Sequence, residues 1–242
     1  MRGRPLDAVL ALPRRSPVTF GYVCLLLLTH VWITRGLTED RAQSVLRDIS
    51  TNLDNLTDRP LAALLGSALV FDGTLTDVTS LLFPATVITL GLGVCWCLAR
   101  AERRWGPLRA FAVFLTGHIG ATLLTAGLIA VALRQGWYPD EVRGTLDFGI
   151  SYGAQAVMAA TTAMMPRRAR LPWAAFVIGW PIAGVEWVGS LPDFTSVGHV
   201  LAAAIGFLFL LPPVAHRLSR GTPPSPDHRG KRSATGAWEN GR

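Results

Sequence analysis

Long apolar stretches alternate with short polar ones along this chain, and the apolar stretches set its architecture. Six runs stand out, at residues 17–34, 79–99, 108–133, 149–165, 172–190 and 194–214. Several reach the roughly 20 residues needed to cross about 30 Å of hydrocarbon. The pattern predicts an all-α membrane protein of six transmembrane helices, with residues 17–214 as one membrane domain. Residues 35–78 form a long amphipathic segment between the first two runs. Its apolar part, residues 60–71 with Leu61, Leu64, Leu65, Leu69 and Val70, is too short to span and reads as re-entrant or interfacial. Residues 1–16 carry Arg2, Arg4, Arg14 and Arg15. No small-residue cleavage site closes the run that follows, so that run reads as a helix rather than a signal peptide. Residues 215–242 form a tail rich in Pro, Ser, Gly and Arg from Ser219, a composition that cannot bury a core and predicts disorder.

Composition agrees with this class. Half the residues are hydrophobic and 16% are charged, against about 25% in a typical soluble domain. The net charge of +7 raises the question of nucleic acid. The basic residues are spread over the loops without an aromatic-basic face, which argues against that partner. Their distribution sets orientation instead. The N-terminus, the second loop, the turn after the fourth run and the tail are basic, whereas residues 35–78, residues 134–148 and the turn at Asp193 are net acidic. Both termini are therefore expected in the cytoplasm of a multi-pass plasma-membrane protein. The three cysteines, Cys24, Cys95 and Cys97, lie in apolar runs without a metal-ligand spacing, so they read as small packing residues and no metal is expected.

One pair of residues can do nucleophilic chemistry. Ser151 lies in Gly149-Ile150-Ser151-Tyr152-Gly153, and His199 follows 48 residues later. Asp147 precedes the serine and Asp193 the histidine. At 1.5 Å per residue, both side chains lie roughly 6–9 Å below these loop charges. They share a depth near the outer face, and a histidine in contact with a serine can activate it. Taken alone, a membrane serine usually bonds its own backbone, whereas an ionisable group at this depth tends to be functional. The Gly-x-Ser-x-Gly string also matches the nucleophile elbow of soluble hydrolases, but that motif needs a preceding strand that this chain lacks.

With these residues in view, the chain resembles the rhomboid family of intramembrane serine proteases, most closely its divergent actinobacterial members. Three places carry the likeness. Gly149 to Gly153 stands where rhomboids hold their nucleophile, His199 with Gly206 matches their histidine and small-residue repeat, and Glu102-Arg103-Arg104-Trp105-Gly106-Pro107-Leu108-Arg109 matches a Glu-Arg-x-x-Gly-x-x-Arg segment. The resemblance implies a Ser151/His199 dyad that needs no cofactor, and a transmembrane protein as substrate. It also implies oxyanion donors on the second run. The corresponding places here fall near Thr86 and Leu90, where rhomboids have histidine and asparagine. Tyr152 replaces the glycine after the nucleophile, and Gln155 replaces the aromatic one turn on. Gly149, Tyr152, Thr86 and Gln155 are thus the candidates for oxyanion support.

Two further polar residues lie in apolar runs. His118 reads as an interhelical hydrogen-bonding group, and Glu186 as a group that snorkels to the interface or orients His199. Tryptophans near run ends, among them Trp32, Trp105, Trp137, Trp173 and Trp187, form an interfacial belt. Two other functions compete with the protease. One is a non-catalytic protein of the same fold that holds transmembrane clients. The other is a transporter, disfavoured because no internal repeat is visible and the polar pair lies near one surface.

Overall fold

Helix α1 starts at Pro17, whose fixed φ suits the first helical position, and runs to Gly36. This computed structural model describes residues 12–71, 73–80 and 82–219. The amphipathic segment after α1 folds into α2 (Glu39–Ile49), α3 (Leu53–Asp58) and α4 (Pro60–Ser67). Asn52 caps α3 by accepting from the Asn55 amide. Then come α5 (Leu82–Trp105) and α6 (Pro107–Arg134), followed by the short α7 (Ile150–Ala160), which continues in one 3₁₀ turn. Helix α8 (Arg167–Ala183) leads into a hairpin of β1 (Trp187–Val188) and β2 (Leu191–Pro192), and the chain ends in α9 (Phe194–Leu208) and α10 (Pro212–Ser219).

Helices α1, α5 and α6 are each long and apolar enough to cross a membrane, and α9 with α10 makes a fourth candidate if that bent pair counts as one span. Helices α7 and α8 have only 11 and 17 residues.

Three sequence-derived boundaries are corrected. The second run does not stop at residue 99: Ala99–Trp105 continue the helix, because alanine, arginine and glutamate are strong helix formers. Gly106 ends it at φ 85°, a conformation that favours glycine. The fifth run does not stay helical to residue 190. It breaks at Gly184, and Gly189 at φ 65° turns the β1–β2 hairpin. The sixth run does not continue straight to residue 214. Pro212 and Pro213 lack amide donors, and α10 leaves α9 at 78°. Helix α10 also carries order through residue 219. The disorder expected further along the tail, and the segment before residue 12, lie outside the described residues.

The core is built round α7. Every residue from Tyr152 to Ala160 is buried, as befits a helix that is apolar on all sides. Its neighbours approach through glycines. A Cβ on Gly93 of α5 would meet Ala154 at 2.6 Å, one on Gly117 of α6 would meet Ala156 at 2.1 Å, and one on Gly206 of α9 would meet the Ala156 carbonyl at 2.2 Å. Small residues allow this because lipid gives helices no hydrophobic reason to associate, so close packing must hold them. Helix α8 is attached more lightly, through Gln155 Nε2 to the Val177 carbonyl at 2.5 Å and Trp173 Nε1 to the Met158 carbonyl at 2.9 Å.

The Glu-Arg segment closes the other end of the bundle. The Glu102 carboxylate accepts from the Val18 amide at 3.1 Å, the Thr19 amide at 2.8 Å and Thr19 Oγ1 at 2.6 Å. It therefore caps the N-terminus of α1 from another helix, where orphan amides and the helix dipole favour an anion. Arg103 donates to Ser16 Oγ, and Arg109 donates to the Leu218 carbonyl at the end of α10. Glu102→Ala strands three donors and is expected to destabilise the fold by about 1.5–3 kcal/mol. Thermal unfolding in detergent measures this, and an unchanged midpoint would refute the capping role.

Candidate active site

The polar loop before α7 is clamped from two sides. The Asp147 carbonyl accepts from the Thr51 amide at 2.9 Å and Thr51 Oγ1 at 3.1 Å, and the Asp147 amide donates to Ser50 Oγ at 2.9 Å. Arg143 pairs with Asp54 at 2.6 Å in the same junction. These contacts fix the amphipathic segment against the residues just ahead of Ser151. His118 adds a third tie from inside. Its Nε2 lies 2.7 Å from the Leu64 carbonyl, and since a carbonyl only accepts, Nε2 carries the proton. The same ring lies against Gly149, where a Cβ would sit 1.8 Å from Nδ1.

Ser151 and His199 line one cavity of about 250 Å³. Thr86, Thr89 and Leu90 of α5 form another wall, and Trp180 of α8 also contributes. His199 Nδ1 lies 2.7 Å from the Thr195 carbonyl, so Nδ1 donates and Nε2 keeps a free lone pair. Ser151 Oγ has the Phe148 carbonyl at 3.5 Å, the limit of a hydrogen bond. No hydrogen bond joins Ser151 to His199 among the described residues. The first bond of α7 runs from the Gly153 amide to the Gly149 carbonyl, so the amides of Ile150, Ser151 and Tyr152 precede the helical ladder.

The remaining predicted residues divide. Tyr152 is fully buried and meets the His199 ring edge-on, with centroids 5.0 Å apart. It also fills the space over Gly198, where a Cβ would lie 2.5 Å from its hydroxyl. The ring contact to the histidine, which the resemblance places one turn after the serine where this chain has Gln155, comes from the residue next to the serine. Gln155 points away and is bonded to α8. Thr86 lines the cavity, but its hydroxyl donates to the Leu82 carbonyl and accepts from the Thr74 amide. Gly153 admits the Phe114 ring, and Gly206 packs on α7. Glu186 is exposed beside the hairpin, with its backbone bonded to Asp193, and does not line the cavity.

Thr89 is the residue that sequence reasoning missed. It lines the cavity, and among the described residues its hydroxyl has no hydrogen-bond partner. A threonine in a regular helix commonly bonds the carbonyl four residues back. Val87–Leu98 is wound in the wider π form, which displaces that carbonyl. Spacing rules based on an α-helix give no sign of this.

Burial pushes the Asp147 carboxyl up to about 6, against the opposing pull of the Tyr152 and Thr51 hydroxyls and the Phe148 amide. A carboxyl raised from 3.8 favours the fold most when protonated. Its contribution is complete below pH 3.8 and is lost as pH rises through about 6. Thermal stability is expected to be higher at pH 5 than at pH 7.5, by about 1.4 kcal/mol, roughly half of the full effect between pH 3 and pH 7.5. Asp147→Asn should remove the difference, and a pH response that persists in that variant would assign it elsewhere.

The helices and the small-residue core define a multi-pass membrane protein, with a cavity holding Ser151 and His199 near one end of its central helix. The chain belongs to the rhomboid-like protein family, whose model matches residues 11–218. No curated protein matches it, and no solved structure does.

Proposed function

We propose that this protein is an intramembrane serine protease that cleaves a membrane-protein substrate through Ser151 and His199. The observation that carries the reading is the shared cavity, with His199 anchored through Nδ1 so that Nε2 is free to act as a base. In the reaction His199 Nε2 takes the Ser151 proton as Oγ bonds the scissile carbonyl carbon. The protonated histidine then gives that proton to the departing amine, leaving an acyl-enzyme. Water, deprotonated by His199, releases the acyl group and restores the serine. The developing oxyanion is met by the unpaired amides at the start of α7 and by Thr89. Catalytic hydrogen bonds are often long in an unliganded site and tighten with substrate, which accommodates the absence of a direct Ser151–His199 bond. The cavity is smaller than the roughly 300–1,000 Å³ of small-molecule sites and suits a side chain or two of a peptide.

In this reading the chain crosses the plasma membrane six times, with both termini in the cytoplasm and the cavity near the outer face. The short α7 lies wholly within protein, and α8 completes the fifth span.

A second reading is a non-catalytic member of the family that holds transmembrane clients. It is favoured by the occupied Thr86 hydroxyl and by Gln155, which is turned to α8. Labelling of the detergent-solubilised protein with a fluorophosphonate distinguishes the two, because only an activated serine reacts.

A further inference from the structure

A second cavity, of about 540 Å³, lies at the opposite end of α7 from Ser151. It opens between the end of α5, the 3₁₀ turn after α7 and the break between α9 and α10. Arg100, Arg103 and Arg104 line it within one and a half turns of α5, and no carboxylate does so among the described residues. The nearest acid in sequence, Glu102, is bonded to the amides of α1. Arg103 donates to the neutral Ser16 hydroxyl. Arg170, on the first turn of α8, donates to the Ala163 and Met165 carbonyls. Arg100 donates to the Met164 carbonyl and lies over Trp96, yet its Nε is buried with no acceptor.

Like charges this close repel, and a buried donor without an acceptor is costly. An anion with several acceptor oxygens that match the guanidinium fork relieves the repulsion. We propose that this cavity binds a phosphate compound of net negative charge. Phe209, Leu210 and Met164 form an apolar wall beside the arginines, which suits a phosphate that carries acyl chains. In the proposed orientation the cavity faces the cytoplasmic leaflet, where anionic lipids concentrate. Nothing in this proposal depends on the chemistry at Ser151.

The test is thermal unfolding of the delipidated full chain in neutral detergent. The probes are phosphatidylglycerol, phosphatidylcholine and inorganic phosphate. Phosphatidylglycerol at about a hundredfold excess over its Kd is expected to raise Tm by about 5 °C, with little effect from the other two. An equal rise with inorganic phosphate supports the site and assigns it to a soluble phosphate compound. Arg104→Gln should reduce the shift. Ala163→Glu tests the site without removing any contact, because Ala163 is exposed on the cavity wall. Its carboxylate should take the place of the ligand, so that basal Tm holds or rises while the shift disappears. Arg134→Gln, at the other end of the bundle, should keep the full shift. No shift with either anion, an equal rise with phosphatidylcholine, or a shift undiminished in Ala163→Glu would overturn the proposal.

Discussion

Ser151→Ala is expected to abolish covalent labelling by a fluorophosphonate, and His199→Ala to slow it by about 10²–10⁴-fold, the usual worth of a positioned general base. The difference between the two has a physical cause. The alanine at 151 removes the atom that bonds phosphorus, whereas loss of the imidazole leaves a serine that ionises rarely. His199 is suited to the base role because Thr195 fixes its tautomer and Tyr152 fixes its ring plane. Thr89→Val is nearly isosteric and leaves the dyad intact. It is expected to slow labelling by about 10²-fold, the cost of one oxyanion donor. These three variants separate base, nucleophile and oxyanion support by the size of their effects. A folded wild-type protein that labels no faster than Ser151→Ala would end the protease reading and leave the client-binding one.

Gly149→Ala is expected to destabilise the protein by about 1–3 kcal/mol, the range for overpacking a tight core. Gly149 has φ −75°, so any residue can adopt its backbone shape, and the requirement is for space alone. The added Cβ would lie 1.8 Å from the His118 ring. Because that ring also holds the Leu64 carbonyl, it cannot retreat without releasing α4. The interaction is testable as a cycle. His118→Ala should be costly alone, since it frees α4, yet Gly149→Ala should add little on top of it. Additive losses, measured by thermal unfolding of both single variants and the double variant, would show that the two residues do not oppose each other. The same cycle bears on the proposed catalysis, because a shift at Gly149 moves the start of α7 and with it Ser151.

Much of this was legible in the chain. The apolar runs predicted a helical membrane protein, and the matched family agrees with the resemblance carried by the Gly-x-Ser-x-Gly string and the Glu-Arg segment. Helix ends were less legible. The polar Arg100–Trp105 looked like a loop, because charge suggests solvent, but it completes α5 and sets the cap on α1. The hairpin after α8 was hidden inside an apolar run, because two strands of two residues each leave no periodicity to detect.

Local sequence determined where the chain is apolar, and it marked Ser151 and His199 as the candidate nucleophile and base. These depend on residue type and near spacing, which the chain displays directly. Tertiary structure alone decided how side chains from separate helices meet. It turned Gln155 to α8, brought Tyr152 to His199, set His118 against Gly149 and left the Thr89 hydroxyl unbonded in the cavity wall. Helix rotation and the local winding of α5 govern such contacts. In a bundle packed through glycines those depend on the fit of every neighbour at once, which no single segment encodes.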